Sequence, residues 1–562
     1  MSEHSVKEAI HFLENETQFH LGFLPTEQSN PLTAHLDAEF AKSSLDGVAC
    51  LQRVDRNVLE MVRRIAASAA FRKLIDDGEA VLRRGGRIVF SGCGATGRLS
   101  ILLECMFRDC CANDAALSAY ANQVFSIMTG GDYALVRSVE FFEDYQSFGR
   151  RQVRDLGMGA GDMLVAITEG GETSSVLGTL FEALDIGASA FLLFNNPADI
   201  LAEHLERSRR AIRDPRVTVL DLSCGPMALA GSTRMQATTS EQLVAGGALE
   251  SIVCRLKGMP QPDYPALFGR LLDELEASAS RKAMADYIDF EAQRCREHAL
   301  TTYFADDFLL DIFTDTTERT PTFMLPPFRK CDDAVSPRPW AFVKDPLLNT
   351  AEVWAQGMKR PLRCLEWTPE DYRVMEAPPA ILSNPPKIQA SELLKFEVGK
   401  ENPEDRCASG KDAAVLVTLS TGRTNRELKE VIASLKAPFA FKRHIAIGGE
   451  QGDFTSPCTL EHSPLELISH MAVKLALNTI STGTMAALGR VTGNWMSFVD
   501  VTNKKLLDRG IRLISEIGGL DYRTACLMLF EGIEEVAAAT HASDEKVSVV
   551  QYVLDKIRNG KG

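Results

Sequence analysis

The chain has 562 residues, 45% of them hydrophobic and 24% charged. That is the composition of an ordinary globular protein, and the length calls for two or three domains rather than one core. A formal net charge of −15 argues against a general nucleic-acid or anionic-membrane binder, because both need a basic surface, but it leaves room for a small anionic ligand held by a local cluster of donors.

The 13 cysteines form no CxxC pair and show no zinc spacing, so reduced thiols of a cytoplasmic protein are expected, with no metal site and no cofactor. The first residues are polar and acidic, unlike a signal peptide, and no run of about 18 uncharged apolar residues suggests a membrane span. Residues 1–50 read as helical and irregular. From Leu51 to Ala80 apolar residues recur at helical spacing. The run Arg87 to Phe90 has strand character, Gly92 to Gly97 is a glycine-rich loop, and a helix begins at Arg98.

Downstream the same unit recurs. Asp162–Ile167, Ala190–Phe194 and Val217–Leu222 read as strands, with a Gly/Ser/Thr-rich turn over 168–175 and a helix over 176–184. Strands alternating with helices predict a parallel sheet covered on both faces. A second unit starts near residue 290, with strand candidates at Asp307–Ile312, Trp340–Val343, Ala414–Leu419 and His444–Ile447, and a long helix from Pro464 to about Ala487. Between Glu366 and Asp412 the chain is rich in proline and charge and reads as a surface excursion. The residues after 504 read as a small helical cap.

Two loops have phosphate-binding chemistry. In Gly92-Cys93-Gly94-Ala95-Thr96-Gly97-Arg98, small residues let backbone N–H groups approach an anion at a helix N-terminus, and Thr96 could add a hydroxyl. The three glycines also fit the dinucleotide G-x-G-x-x-G, but no clear strand precedes Asp114, the acidic residue that reading needs. A tight structural turn accounts for the glycines equally well. In Thr168-Glu169-Gly170-Gly171-Glu172-Thr173-Ser174-Ser175 the hydroxyls suit a phosphate and the two carboxylates do not. Thr173 or Ser174 also serves as a plain helix N-cap. The histidines, among them His20, His462 and His470, show no metal spacing.

Several motifs resemble one family, the N-acetylmuramic acid 6-phosphate etherases and glucokinase regulatory protein, built on sugar-isomerase-type (SIS) domains. Gly94 to Leu99 resembles the family's G-T-S-G-R-L loop. Thr129 to Asp144 resembles A-G-G-(E/D)-x-A followed by x-E-G-x-E-D, Thr26 to Pro31 resembles T-E-x-R-N-P, and Gly231 to Met235 resembles G-S-(S/T)-R-(L/M). In the second half, Asp315 to Phe323 resembles D-x-x-E-C-x-x-T-F. Lys474 to Gly483, Gly489 to Asn494 and Asp500 to Leu506 resemble K-x-x-L-N-x-x-S-T-G, G-(K/R)-x-x-x-N and D-x-x-x-(T/S)-N-x-K-L, the last one residue tighter than the pattern.

The resemblance implies two tandem SIS domains, each a flavodoxin-like parallel sheet flanked by helices. The expected divisions are 1–50, 51–275, 276–500 and a C-terminal helical cap over 501–562. It also implies a sugar phosphate bound at the junction of the halves, in a monomeric pseudo-dimer or a homodimer.

The departures from the pattern are complementary. Met106 falls where the first half should carry its glutamate, and Glu104, two residues early, points about 200° away. In the second half Asp306-Asp307-Phe308 replaces the small-residue loop, and in the first half Gln242 replaces the motif lysine that survives as Lys474. One composite site and one ligand per chain are therefore expected. By resemblance, its binding residues are Gly94, Ala95, Thr96, Gly97, Arg98, Thr168, Gly170, Thr173, Lys474 and Ser481. Arg98 could instead pair with a carboxylate, and Glu143 reads as a structural cap.

The resemblance also implies catalytic roles, with Glu318 as acid and Glu140 as base in an elimination that removes a lactyl ether from N-acetylmuramic acid 6-phosphate. Acid–base help of this kind contributes about 10²–10⁴-fold. The same pair could hold sugar hydroxyls in a non-catalytic sensor that regulates a sugar kinase, and isomerase-type chemistry is a third reading. A transcription-factor role is disfavoured because no basic helix-turn-helix stands out.

Overall fold

A computed structural model describes residues 2–139, 141–539 and 546–560 of the chain. Five parallel strands form the first sheet: β1 (Ile88–Gly92), β2 (Val124–Met128), β3 (Met163–Ile167), β4 (Ser189–Phe194) and β5 (Val217–Asp221), in the order β2-β1-β3-β4-β5. Their sequences are near-continuous apolar runs because helices cover both faces.

A second parallel sheet contains β6 (Thr301–Phe304), β7 (Ala341–Lys344), β8 (Ala413–Leu419), β9 (Phe441–Ile447) and β10 (Phe454–Ser456), in the order β10-β9-β8-β6-β7. Read from the opposite edge this is the order of the first sheet, so the halves repeat one α/β topology. In such a fold the strand order reverses beside the first strand, and the loops leaving β1 and β3 open on one crevice there.

The stretch expected as a strand over Asp307–Ile312 is instead the start of a helix, Leu309–Phe323, and the strand is Thr301–Phe304. Leu309, Ile312, Phe313, Thr316 and Thr317 share its buried side, a 3–4 residue spacing that a short apolar run does not reveal.

The expected surface excursion over 366–412 is also corrected. Tyr372, Leu393 and Phe396 are buried, and Trp367 stacks on Phe142 of the first half at 5.9 Å while its Nε1 donates to Asp155 Oδ2 at 2.7 Å. Just before it, Arg360 forks onto Asp132 at 2.6 and 2.9 Å. Proline and charge mark this segment because it is built from short capped turns that lock the halves together.

The C-terminal helices Lys504–Gly518, Tyr522–Ala538 and Val549–Gly560 pack with the N-terminal helix Glu3–Asn15, where Phe12 meets Phe530 at 6.2 Å. Glu27, of the segment resembling T-E-x-R-N-P, is buried between Arg509 and Arg512. Burial opposes its ionisation, but the two guanidiniums outweigh that and hold the carboxyl well below the usual range. This clamp brings the helix carrying Lys505 over the first sheet. Among the described residues no helix is long and apolar enough to cross a membrane.

Candidate functional site

The loop leaving β1 is shaped by two glycines. A Cβ on Gly92 would stand 2.4 Å from the Thr96 carbonyl carbon and oxygen, and Gly94 sits at φ +57°. Only glycine fits the first, and the second lies in the left-handed region that disfavours a side chain. The helix Ala95–Asn113 then starts at Gly94 without a side-chain cap. The first backbone N–H groups of any helix lack partners within it, so those at Ala95, Thr96 and Gly97 form an anion-binding end. The Thr96 hydroxyl, expected to face a ligand, is turned back into the loop. It donates to Cys93 O at 2.9 Å and accepts from Cys93 N at 3.0 Å.

The loop leaving β3 faces the same crevice. Asn195 N donates to Glu169 O at 2.9 Å and Asn196 Nδ2 to Gly170 O at 3.1 Å, which pins the loop to the end of β4. Thr168 Oγ1 donates to Thr173 Oγ1 at 3.0 Å. Thr173 therefore occupies the N-cap position of the helix Ser174–Ile186 without capping it through its side chain.

Glu172 accepts from Lys505 Nζ at 2.9 Å and from Arg207 Nη2 at 2.6 Å. Burial disfavours its charge, yet Lys505 and Arg207 bring its carboxyl down to about 2. Glu169 behaves in the opposite way. Burial, with Glu318 nearby, pushes its carboxyl up to about 7 against the pull of Lys505.

Lys505 was not singled out by the sequence reading, although its motif was. It occupies the first turn of the helix Lys504–Gly518, whose N-cap Asn503 accepts from Leu506 N and donates to Glu143 Oε1 at 2.9 Å. Burial alone would discharge the ammonium, but Glu172, Glu143 and Glu27 outweigh it and keep it charged. It lies within electrostatic reach of Cys93 in the β1 loop and of Glu169. Glu143 is raised chiefly by burial, with Asp144 and Glu172 adding to the shift.

From the second half, Glu318 on the helix Leu309–Phe323 reaches across to Arg98, whose Nη1 donates to its carboxylate. Arg98 also donates to Leu135 O at 2.9 Å and Ala134 O at 3.2 Å, so its fork is fully engaged within the protein. Thus Glu318 meets the 94–98 loop across the halves. Glu140, the other expected catalytic carboxylate, lies outside the described residues.

Lys474 and Ser481 belong to a different cluster. Lys474 Nζ donates to Arg234 O at 2.9 Å, Thr239 Oγ1 at 3.0 Å and Asn478 Oδ1 at 2.9 Å. Burial, with Arg234 nearby, lowers the ammonium to about 7. Ser481 Oγ donates to Asp315 Oδ1 at 2.8 Å, and Asn478 Nδ2 donates to the same oxygen at 2.9 Å. Arg234 and Arg319 pair with Asp315 as well. Three of the recognised motifs therefore converge in one buried polar knot.

The cavity between this knot and the Arg98–Glu318 pair measures about 40 Å³, room for a few waters and not for a hexose. Glu104 is likewise structural, accepting from Arg108 Nε, Ser126 N and Ser126 Oγ.

In the second half a carboxylate of the chain itself ties the two equivalent loops together, and a cavity of about 510 Å³ lies beside the loop leaving β8, lined by Ser420, Arg423 and Lys429. Asp307 Oδ2 accepts from Arg423 N at 2.5 Å, Thr424 N at 2.9 Å and Thr424 Oγ1 at 3.0 Å, in the loop leaving β8. β8 is the counterpart of β3, so a side-chain carboxylate lies between the two loops that flank the open crevice in the first half.

A family model described as the glucokinase regulatory protein N-terminal SIS domain matches residues 70–184. The chain is 30% identical over 285 residues to the N-acetylmuramic acid 6-phosphate etherases of Yersinia pestis (strain Pestoides F) and Yersinia pseudotuberculosis serotype O:1b (strain IP 31758), covering 49% of this chain and 89% of each relative. Among solved structures, the tagatose-6-phosphate ketose/aldose isomerase from Escherichia coli superposes at 10% identity with a TM-score of 0.43, covering 79% of this chain and 93% of that one. The C-terminal domain of glucosamine-fructose-6-phosphate aminotransferase from Francisella tularensis gives 10% identity and a TM-score of 0.44, covering 80% and 97%. With that level of identity sustained across 89% of an etherase, and with two sheets of one topology in a single chain, this protein belongs to the N-acetylmuramic acid 6-phosphate etherase and glucokinase regulatory protein family of SIS-domain proteins.

Proposed function

We propose that this protein binds a hexose or amino-sugar 6-phosphate at one composite site in the first-half crevice. The observation that carries the reading is the meeting of Glu318, from the second half, with Arg98 of the 94–98 loop, while Lys505 is held by Glu172 of the neighbouring loop that leaves β3. Backbone amides at Ala95–Gly97 and the Lys505 ammonium supply the anion-binding chemistry. Glu318, tied to Arg98, and Glu169 lie within electrostatic reach of each other, and carboxylates suit sugar hydroxyls. Lys505, rather than Lys474, takes the cationic role, because the donors of Lys474 are already shared among protein acceptors.

In the second half the Asp307 carboxylate already occupies the Arg423 and Thr424 amides, which supports one ligand per chain. Isothermal titration with glucosamine 6-phosphate and fructose 6-phosphate tests the reading. Saturable binding near one ligand per chain is expected, lost in K505M, and absence of binding to either sugar refutes it.

Elimination chemistry is the second reading, favoured by one observation. Glu169 has a carboxyl near 7, so it can hold or release a proton at neutral pH beside Glu318, which is tied to Arg98. An acid and a base on one sugar are what cleavage of a C3 ether requires. Release of D-lactate from N-acetylmuramic acid 6-phosphate by the purified chain tests it. Intact binding without lactate excludes the lyase and leaves a binding protein.

A further inference from the structure

We infer that the Glu172 carboxylate stands in for the ligand's phosphate at Lys505, so that an anionic ligand enters by displacing it. This deepens the sugar-phosphate reading and rests on it. Lys505 donates to Glu172 at 2.9 Å, in the loop that leaves β3 next to the β1 loop. Glu172 belongs to the loop that leaves β3 and is buried, so the pair is part of the site and not a surface contact. Because Lys505 and Arg207 keep that carboxylate charged, it competes with any anion that approaches the same ammonium.

The main chain of the loop is held by Asn196 on Gly170 O, Ser208 on Gly171 O and Arg207 on Glu172 O, so the exchange needs only the Glu172 side chain to turn. Arg207 holds Glu172 from the other side, through Nη2 to Oε2 at 2.6 Å and Nε to the main-chain oxygen at 2.6 Å. When a phosphate takes Lys505, the displaced carboxylate keeps Arg207 and is not left as an unpaired buried charge. Glu172 thereby sets the ligand class. A neutral sugar cannot remove it from Lys505, whereas a dianion can.

The test is a double-mutant cycle with E172Q and R207M, read by isothermal titration with glucosamine 6-phosphate and, as a minimal probe, inorganic phosphate. E172Q is expected to tighten both Kd values at least tenfold while leaving the binding of glucose, a neutral sugar, unchanged. R207M is expected to weaken glucosamine 6-phosphate in the wild-type background and to have little effect in E172Q, where no carboxylate needs a second partner. E172S, which removes the side chain's hold on Lys505, is expected to shift Kd in the same direction as E172Q and covers the case in which either variant folds poorly.

Equal affinities for wild type, E172Q and E172S would overturn the stand-in role while leaving the sugar-phosphate reading in place. Additive effects of E172Q and R207M would reduce Glu172 to a general electrostatic influence and also overturn it. Failure of wild type and all variants to bind either phosphate compound overturns both readings together.

Discussion

Raising the pH should weaken sugar-phosphate binding, because Glu169 stands in the same crevice with a carboxyl near 7. Below pH 7 that carboxyl is neutral and does not oppose an anion. Above pH 7 it ionises in the free protein, and binding a dianion must then drive a proton back onto it. A dianion and a carboxylate about 6 Å apart at an effective dielectric of about 20 repel by about 5–6 kcal/mol. That equals about four pH units of proton affinity, so Kd should rise about tenfold per pH unit above 7 and be about a hundredfold higher at pH 9. The ligand's own phosphate loses its second proton near pH 6, so measurements between pH 7 and 9 isolate the protein group.

Isothermal titration of glucosamine 6-phosphate across that range, in two buffers of different ionisation enthalpy, gives both the slope and the protons taken up. Uptake approaching one proton near pH 8 is expected, and E169Q should flatten the profile. The other ionisable groups facing Glu169 are Glu318, Glu241, Cys93 and Lys505. Burial, with Glu169 adding to it, also pushes Glu241 well above the carboxylate range, so the comparison with E169Q is what assigns the proton to Glu169. A flat wild-type profile with binding intact, or a slope that survives E169Q, would refute the role assigned to Glu169.

R98M removes the partner of Glu318 and should lower stability by about 3–5 kcal/mol in urea unfolding, with most of the loss recovered in R98M/E318Q, because the damage comes from an unpaired buried charge. N503A deletes the N-cap beneath Lys505 and should lower stability by about 1 kcal/mol while raising the Kd for glucosamine 6-phosphate, since Asn503 also orients Glu143. D307A strips a carboxylate from two backbone amides and the Thr424 hydroxyl and should lower stability by about 2 kcal/mol by thermal or urea unfolding, while leaving glucosamine 6-phosphate affinity in the first-half crevice unchanged.

The sequence carried the architecture further than it carried the site. β1, β3, β4, β5, β7, β8 and β9 were legible because parallel strands covered on both faces are apolar runs such as Met163–Ile167. Thr301–Phe304 was hidden. It is four residues long and two are threonines, while the more apolar stretch after it is helical. The segment over 366–412 misled for a related reason. Proline and charge mark the turns, but Trp367, Tyr372 and Phe396, scattered among them, do the burying.

Motif spacing picked out segments that the fold brings into contact and could not rank the side chains within them. Lys474 and Lys505 both sit in family-like motifs, and nothing in either motif tells which ammonium is spent. That depends on which acceptors the fold brings near. Arg234, Thr239 and Asn478 occupy the donors of Lys474, whereas Lys505 reaches the crevice and finds a carboxylate there instead of a backbone carbonyl. The same holds for the carboxylates. Glu169 and Glu172 are three residues apart in one loop, yet Lys505 and Arg207 together hold one charged, while burial leaves the other able to carry a proton near neutrality. Two identical side chains acquire opposite behaviour from partners as far as 333 residues away in the chain, and the proton-coupled binding predicted for Glu169 depends on that difference.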